Sequence, residues 1–349
     1  MPTKTRAAGA LLAFILLAGP SLLAAEEPSR TELVIGTFCT VRIVDGPRGK
    51  DAERALDASF AKLREIEDTL SANKDGTDVD RVNRAAGGAP VRVSDMTYYV
   101  LGKALEYARL TNGAFDPTVG PLVKLWGIGT PQARLPSRQE IDAARRLIDW
   151  RKVAVDPAAR TVRLAAPGMR IDLGAIAKGY AADEVGAILK AAKTKAAIVD
   201  LGGNVYALGE KRDRSPWRIG VQVPLPENEA PRGSYLGVVE GKDFTVVTSG
   251  VYERFFEKDG TRYHHILDTG TGYPVKNGLV SVTIITTKSI DADGLSTSLF
   301  ALGRERGMAL AATLPGVQVV MVDDADRVYL SPGAAKIFKL TSADYSLAD

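Results

Sequence analysis

Apolar residues recur every three or four positions along "GKDAERALDASFAKLREIEDTLS", residues 49–71, with charged residues opposite them, which predicts an amphipathic helix. "SDMTYYVLGKALEYARLTNGAFDP" predicts a second helix, with Ser94 and Asp95 as N-cap candidates and Gly113 just past its end. A short third helix, "SRQEIDAARRLI", opens on the capping-box pattern of Ser137 and Glu140. Ahead of them all, "TELVIGTFCTVRIV" alternates and is β-branched, as a strand does. "KVAVDPAARTVRLAA" reads as two short strands around a proline-containing turn.

Past residue 195 the period shortens. "KAAIVDLGGNVYALGEK", "WRIGVQV", "SYLGVVEG", "DFTVVTSGVYERFF" and "GLVSVTIITT" are short β-type runs with turn signals between them. A last helix, "DADGLSTSLFALGRERGMALAAT", precedes a closing strand, "GVQVVMVDD". Helices cluster early and strands late, with local connections, so an α+β fold with a largely antiparallel sheet flanked by helices is expected. "PLPENEAPRGS" is a polar, proline-rich loop rather than a linker, so residues 26–349 read as one domain. No G-x-G-x-x-G joins a strand to a helix, and a Rossmann site has no support.

Lys4 and Arg6 precede an uncharged run from Ala7 to Ala25 that carries Pro20 near its end. That is the layout of a secretory signal peptide over residues 1–25, the alternative being an uncleaved membrane anchor. Either way the folded part is expected to be exported, in the periplasm. The net charge is +3, and without those two residues it is about +1, which argues against a nucleic-acid partner. The single cysteine, Cys39, allows no internal disulfide and sits too far past the apolar run to be a lipid-modified cysteine. It reads as a buried structural thiol.

Four stretches carry candidate chemistry. In "RIDLGAIAKGYAAD", Asp172, Gly174 and Gly179 bracket a helix start, where free N–H groups favour anions, and Lys178 adds a charge. Capping by Asp172 and a surface role for Lys178 explain the same residues. Gly202 and Gly203 suit a hairpin turn or a close backbone approach. His264 and His265, adjacent in a strand-like run, point to opposite faces, so at most one serves a given site as a base. Asp293 and Thr297, four apart, share a helical face and can offer a carboxylate and a hydroxyl to a hard cation such as Mg²⁺. Asp291 is a further ligand or a cap; capping explains Asp293 as well as metal does.

In order, "LSANKDGTDVDRVN", "TNGAFDPTV", "DLGAIAKGYAAD", "DLGGNVYALG", "SGVYERF", "HHILDTGTGYPV" and "DADGLSTSLFALG" resemble the ApbE-type FAD:protein FMN transferases, over about residues 33 to 322. The resemblance implies an ApbE-like, T-fold-like architecture and an exported enzyme that uses Mg²⁺ and FAD. Such enzymes join FMN to a threonine of an acceptor protein, a subunit of a membrane redox complex, and release AMP. FAD is thus a substrate. By the same resemblance, Asp293, Thr297 and the carbonyl of Ala175 would hold the metal. Asp172 and Lys178 would contact FAD. Ala114, Phe115 and Asp116 would line the flavin-nucleotide pocket with Ile35 and Ile266, and His265 would activate the acceptor hydroxyl.

Two positions depart from the family pattern. Asn73 replaces a common tyrosine, removing a ring that can stack on FAD, and Asn204 replaces the acid that often follows the Gly-Gly pair. The first departure motivates an alternative, a metal-dependent FAD pyrophosphatase with water as acceptor. A flavin-binding protein without catalysis is the third possibility.

Overall fold

The computed structural model describes residues 27–225 and 234–348. The expected leader and most of the proline-rich loop lie outside them. The first part of the chain contains β1 (Ser29–Val34), β2 (Thr37–Asp45), α1 (Gly49–Leu70), α2 (Asp78–Arg84), β3 (Val91–Arg92), α3 (Asp95–Leu110), α4 (Gly120–Trp126), α5 (Arg138–Arg145), β4 (Val153–Asp156) and β5 (Thr161–Leu164). Next come α6 (Ala177–Ala191), β6 (Ala196–Leu201), β7 (Asn204–Gly209), β8 (Trp217–Gln222), β9 (Tyr235–Gly241), β10 (Phe244–Gly250), β11 (Phe255–Lys258) and β12 (Thr261–His264). The last elements are β13 (Leu279–Thr286), α7 (Ser289–Leu302), α8 (Arg304–Ala311), β14 (Gln318–Asp323), β15 (Arg327–Leu330), β16 (Phe338–Leu340) and β17 (Ser346–Leu347).

Among the described residues the main sheet has nine strands in the order β1-β2-β6-β7-β10-β13-β14-β15-β17. Its pairings are antiparallel except β15 with β17. Both faces of its centre are covered, which is why these strands read as continuous apolar runs. Val282 and Ile284 of β13, with Val319 and Met321 of β14, join the core that also contains residues of α1, α6 and α7. Ile285, Val320 and Val322 face the other way, into a core shared with Trp217, Val221, Leu236, Val239 and Phe338 of the small β16-β9-β8 sheet. Cys39 is fully buried, and burial pushes its thiol up to about 12, which makes it a structural residue.

Three expectations about elements need correction. "TELVIGTFCTVRIV" is a hairpin, not one strand: Ile35 (φ 49°) and Gly36 (φ 72°) turn the chain so that Val34 pairs with Thr37. A two-residue turn of this kind needs positive φ at both positions. A β-branched residue there is disfavoured, so the pattern concealed it. The long last helix breaks at Gly303 (φ 80°) into α7 and α8. The strand ending in Asp323 is followed by β15, β16 and β17, which are too short to carry a clear period. Gly202 (φ 65°) and Gly203 (φ 88°) do form the hairpin turn between β6 and β7.

The crossing of α6 over α7 depends on Gly179. A Cβ there would lie 2.2 Å from the Ser289 carbonyl oxygen and 2.7 Å from the Asp293 Cβ. Backbone cannot move aside as a flexible side chain can, so Gly179→Ala is expected to destabilise the protein by about 1–3 kcal/mol or more. The denaturation midpoint measures this. An unchanged midpoint would mean that the helices separate without cost.

Candidate active site

The two helices at that crossing cap each other. Neither α6 nor α7 has a side-chain cap from its own N-cap residue, Ile176 or Lys288. Instead Asp293 of α7 accepts from the Gly179 N–H at 2.8 Å and from the Lys178 N–H, in the first turn of α6. Asp183 of α6 in turn accepts from the Ser289 and Ile290 N–H groups, at 2.9 and 3.0 Å, in the first turn of α7. Each carboxylate thereby satisfies helix-terminal donors and meets the positive end of a helix dipole. Asp172 caps neither helix; its Oδ1 accepts from the Gly174 N–H at 2.8 Å, folding the loop that leads into α6.

The outcome is a wall of oxygen donors. Asp293 is 3% exposed, and burial raises its pKa against the opposing Lys178 charge and the two N–H donors. Thr297 lies one helical turn on, its hydroxyl 3.2 Å from that of Ser249. The Ala175 carbonyl accepts no backbone hydrogen bond among the described residues. Those residues contain no cluster of three or more His, Cys, Asp or Glu side chains able to hold a metal. One carboxylate, one hydroxyl and one free carbonyl fit a hard cation that completes its shell with water and substrate phosphate. Asp291 is not part of this set, because Tyr107 Oη and Lys103 Nζ engage it at 2.6 and 3.0 Å.

His265 lines the same cleft, immediately after β12. The β11–β12 hairpin is held by Phe256 and Tyr263, which stack with centroids 5.2 Å apart and pack on Trp126 of α4. Trp126 also donates to the Gly272 carbonyl at 2.9 Å. His264 turns into the core, its Nε2 3.0 Å from the Val275 carbonyl. His265 turns into the cleft, its Nδ1 3.3 Å from the Arg254 carbonyl. A carbonyl only accepts, so Nδ1 carries the proton and the neutral ring keeps its lone pair on Nε2. Burial, with the Arg254 and Lys178 charges, lowers the His265 pKa to about 3.

All of the expected site residues line one cleft of about 1990 Å³, among them Ile35, Asn73, Ala114, Phe115, Asp116, Asp172, Ala175, Lys178, His265, Ile266, Asp293 and Thr297. That exceeds the ~300–1,000 Å³ of an ordinary small-molecule pocket and leaves room for a dinucleotide and a second reactant. Phe115 is nearly buried and packs edge-on against Tyr107 at 6.1 Å. Asp116 spends both carboxylate oxygens within the fold: Oδ1 accepts from the Thr118 N–H and hydroxyl, Oδ2 from the Trp150 N–H. Asn204 is 1% exposed and outside the cleft, accepting from the Ser289 hydroxyl beneath the start of α7.

The cleft also contains residues that the sequence reading passed over, notably Asp200, Ser249, Glu253 and Arg254. Desolvation within the cleft pushes the Glu253 carboxyl up to about 7, opposed by Lys178 and Arg254 and reinforced by Asp293. "SGVYERF" had drawn attention to this loop without singling out either charged residue.

The model of the ApbE family matches residues 35–321, which spans every element that lines the cleft. The chain belongs to the ApbE family. It is 40% identical over 335 residues to the FAD:protein FMN transferase of Treponema pallidum, covering 92% of this chain and 91% of that one. A FAD:protein FMN transferase of Klebsiella pneumoniae is 39% identical over 83% of this chain and 89% of its own. The fold matches the flavin transferase ApbE from Vibrio cholerae with a TM-score of 0.79 at 31% identity, over 89% of this chain and 99% of that one. The shared α+β architecture of the ApbE family thus brings the helix crossing and the histidine hairpin to one cleft.

Proposed function

We propose that this chain is an FAD:protein FMN transferase, Mg²⁺-dependent, which joins FMN to a threonine hydroxyl of an acceptor protein and releases AMP. The observation that carries this reading is that the Asp293–Thr297–Ala175 oxygen set and His265 line one cleft. The threonine oxygen attacks the phosphorus of the FMN half, the pyrophosphate P–O bond breaks, and AMP departs with the bonding electrons. His265 Nε2 takes the hydroxyl proton, a contribution of about 10²–10⁴-fold. Bound Mg²⁺ would polarise the pyrophosphate and offset its charge. Lys178 would add a cation near the same phosphates, and Asp172 and the pocket of Ile35, Ala114, Phe115, Asp116 and Ile266 would hold the nucleotide. Positioning and charge neutralisation suffice for such a transfer.

The acceptor in this reading is a subunit of a membrane redox complex, and the basic-then-apolar pattern of residues 1–25 supports export to the periplasm, with inner-membrane association if that segment is retained. No helix among the described residues is long and apolar enough to cross a membrane. The test is to incubate purified protein with FAD, Mg²⁺ and a candidate acceptor domain. AMP should appear together with flavin fluorescence on the acceptor in a denaturing gel; AMP without labelled acceptor would overturn transfer in favour of hydrolysis.

Asn73 favours that second reading, FAD pyrophosphatase activity. It is an exposed amide on the cleft wall, its backbone N–H held by the Ser71 hydroxyl at 3.1 Å. Asn73→Tyr is expected to tighten FAD binding by about 0.5–1.5 kcal/mol through stacking. Flavin fluorescence quenching measures it, and unchanged affinity would remove position 73 from the contact surface.

A further inference from the structure

Arg254 does two things at once. Its carbonyl accepts from the His265 N–H at 3.0 Å and holds the imidazole Nδ1 at 3.3 Å, as described above. Its side chain runs along Gly129, where an added Cβ would come within 3.1 Å of the Arg254 Cδ. The guanidinium ends 3.5 Å from the Gly36 carbonyl, in the turn that carries Ile35. That long contact is its one side-chain hydrogen bond among the described residues, and it has no carboxylate within ion-pair distance there. A planar fork of five donors is therefore left largely unused inside the cleft.

Lys124, Arg170 and Lys178 also line the cleft without an ion pair among the described residues, and of these Lys178 stands beside the metal donors. It opens α6 beside Asp293, whose carboxylate its charge stabilises. Both charges reach His265, but from different elements: Lys178 from the helix that meets the metal donors, Arg254 from the segment whose carbonyl holds His265 and whose side chain reaches the Ile35–Gly36 turn. An in-line transfer has two sides: the acceptor oxygen and its base stand on one side of the reacting phosphorus and the leaving group on the other. We propose that the Arg254 guanidinium binds the phosphoryl group of the FMN half, the one transferred, while Lys178 serves the phosphate that leaves with AMP. This rests on the flavin-transfer reading above. A guanidinium pairs two oxygens of one phosphate side by side, and it can follow the charge that spreads over the equatorial oxygens during transfer.

The test uses products and a truncated product as probes, so it reads binding apart from turnover. FMN, riboflavin and AMP are titrated into wild-type protein and into Arg254→Gln, Arg254→Lys and Lys178→Gln variants. Arg254→Gln should weaken FMN about ten- to a hundredfold, leave riboflavin and AMP unchanged, and lower kcat for AMP release by about 10²–10³-fold. Arg254→Lys should recover part of the FMN affinity, because charge returns without the fork. Lys178→Gln should show the reverse preference, losing AMP rather than FMN. Equal losses of riboflavin and FMN in Arg254→Gln would make Arg254 a strap between Gly36 and Gly129, and overturn the proposal. Unchanged FMN affinity would also overturn it, with the flavin-transfer reading left standing. Wild-type protein that binds neither FMN nor AMP would instead sink that reading, and the proposal with it.

Discussion

Asp293→Ala is expected to lower AMP release from FAD by about 10²–10⁴-fold at saturating Mg²⁺, equivalent to several kcal/mol of lost charge stabilisation. Asp293 is 3% exposed, and its Oδ2 accepts from the Gly179 N–H, which fixes the orientation of the carboxylate in the cleft wall. Removing it deletes the only carboxylate of the proposed metal set and uncaps α6 at the same time. The second loss alone is worth about 1 kcal/mol of stability. Asp293→Asn separates the two effects, since the amide oxygen can still accept from Gly179 while the charge is gone. Thermal unfolding should fall for alanine and be largely preserved for asparagine, with AMP release lost in both. Asparagine turnover near wild type in added Mg²⁺ would eliminate Asp293 as a metal ligand.

His265→Ala is expected to slow flavin transfer by about 10²–10⁴-fold while leaving FAD affinity nearly unchanged. Equal loss of both would count against its role as base. The pH dependence gives an independent check. With its pKa lowered to about 3, free-enzyme His265 is neutral throughout the range from pH 5 to 8. Part of that depression comes from Arg254 and Lys178, whose charges a bound pyrophosphate would offset. Binding FAD therefore raises the basicity of the imidazole when a base is required. The kcat/KM profile, which reports the free enzyme, should show no limb from His265 in this range. The kcat profile should show an acid limb at higher pH than the free-enzyme value. A limb near pH 7 in kcat/KM belongs to Glu253, whose carboxyl is pushed up to about 7, and should vanish in Glu253→Gln. For stability the two groups act in opposite directions. Between 6.5 and about 3 the unfolded chain protonates His265 and the folded one does not, so this contribution falls as pH falls. Glu253 is protonated first in the folded state, so its contribution grows as pH falls from about 7 toward 4.5.

Much of this site could be read before any coordinates. The side-by-side histidines dictated that they diverge, and His264 does enter the core while His265 enters the cleft. The four-residue spacing of Asp293 and Thr297 held, because α7 is regular across both. The Ser137–Glu140 capping box formed in full. Local rules failed where a residue acts at a distance. Asp172 looked like a cap for α6, yet the α6 cap comes from Asp293, more than a hundred positions later. Asp183 carries no candidate chemistry in the sequence and has a structural role, capping α7 in exchange. The turn at Ile35 was hidden for a different reason: strain at positive φ has no signature in a run of β-branched residues.

The α+β class, the order of the main helices and strands, and the family were legible in the sequence, since hydrophobic period and short motifs depend on neighbours within a few residues. Which carboxylate meets which helix end, and that Glu253 and Arg254 line the cleft, emerged from the folded chain alone. Those contacts depend on a glycine-tight crossing of α6 over α7 and on a hairpin clamped by Trp126. Such contacts exist only once apolar faces far apart in the chain have packed together.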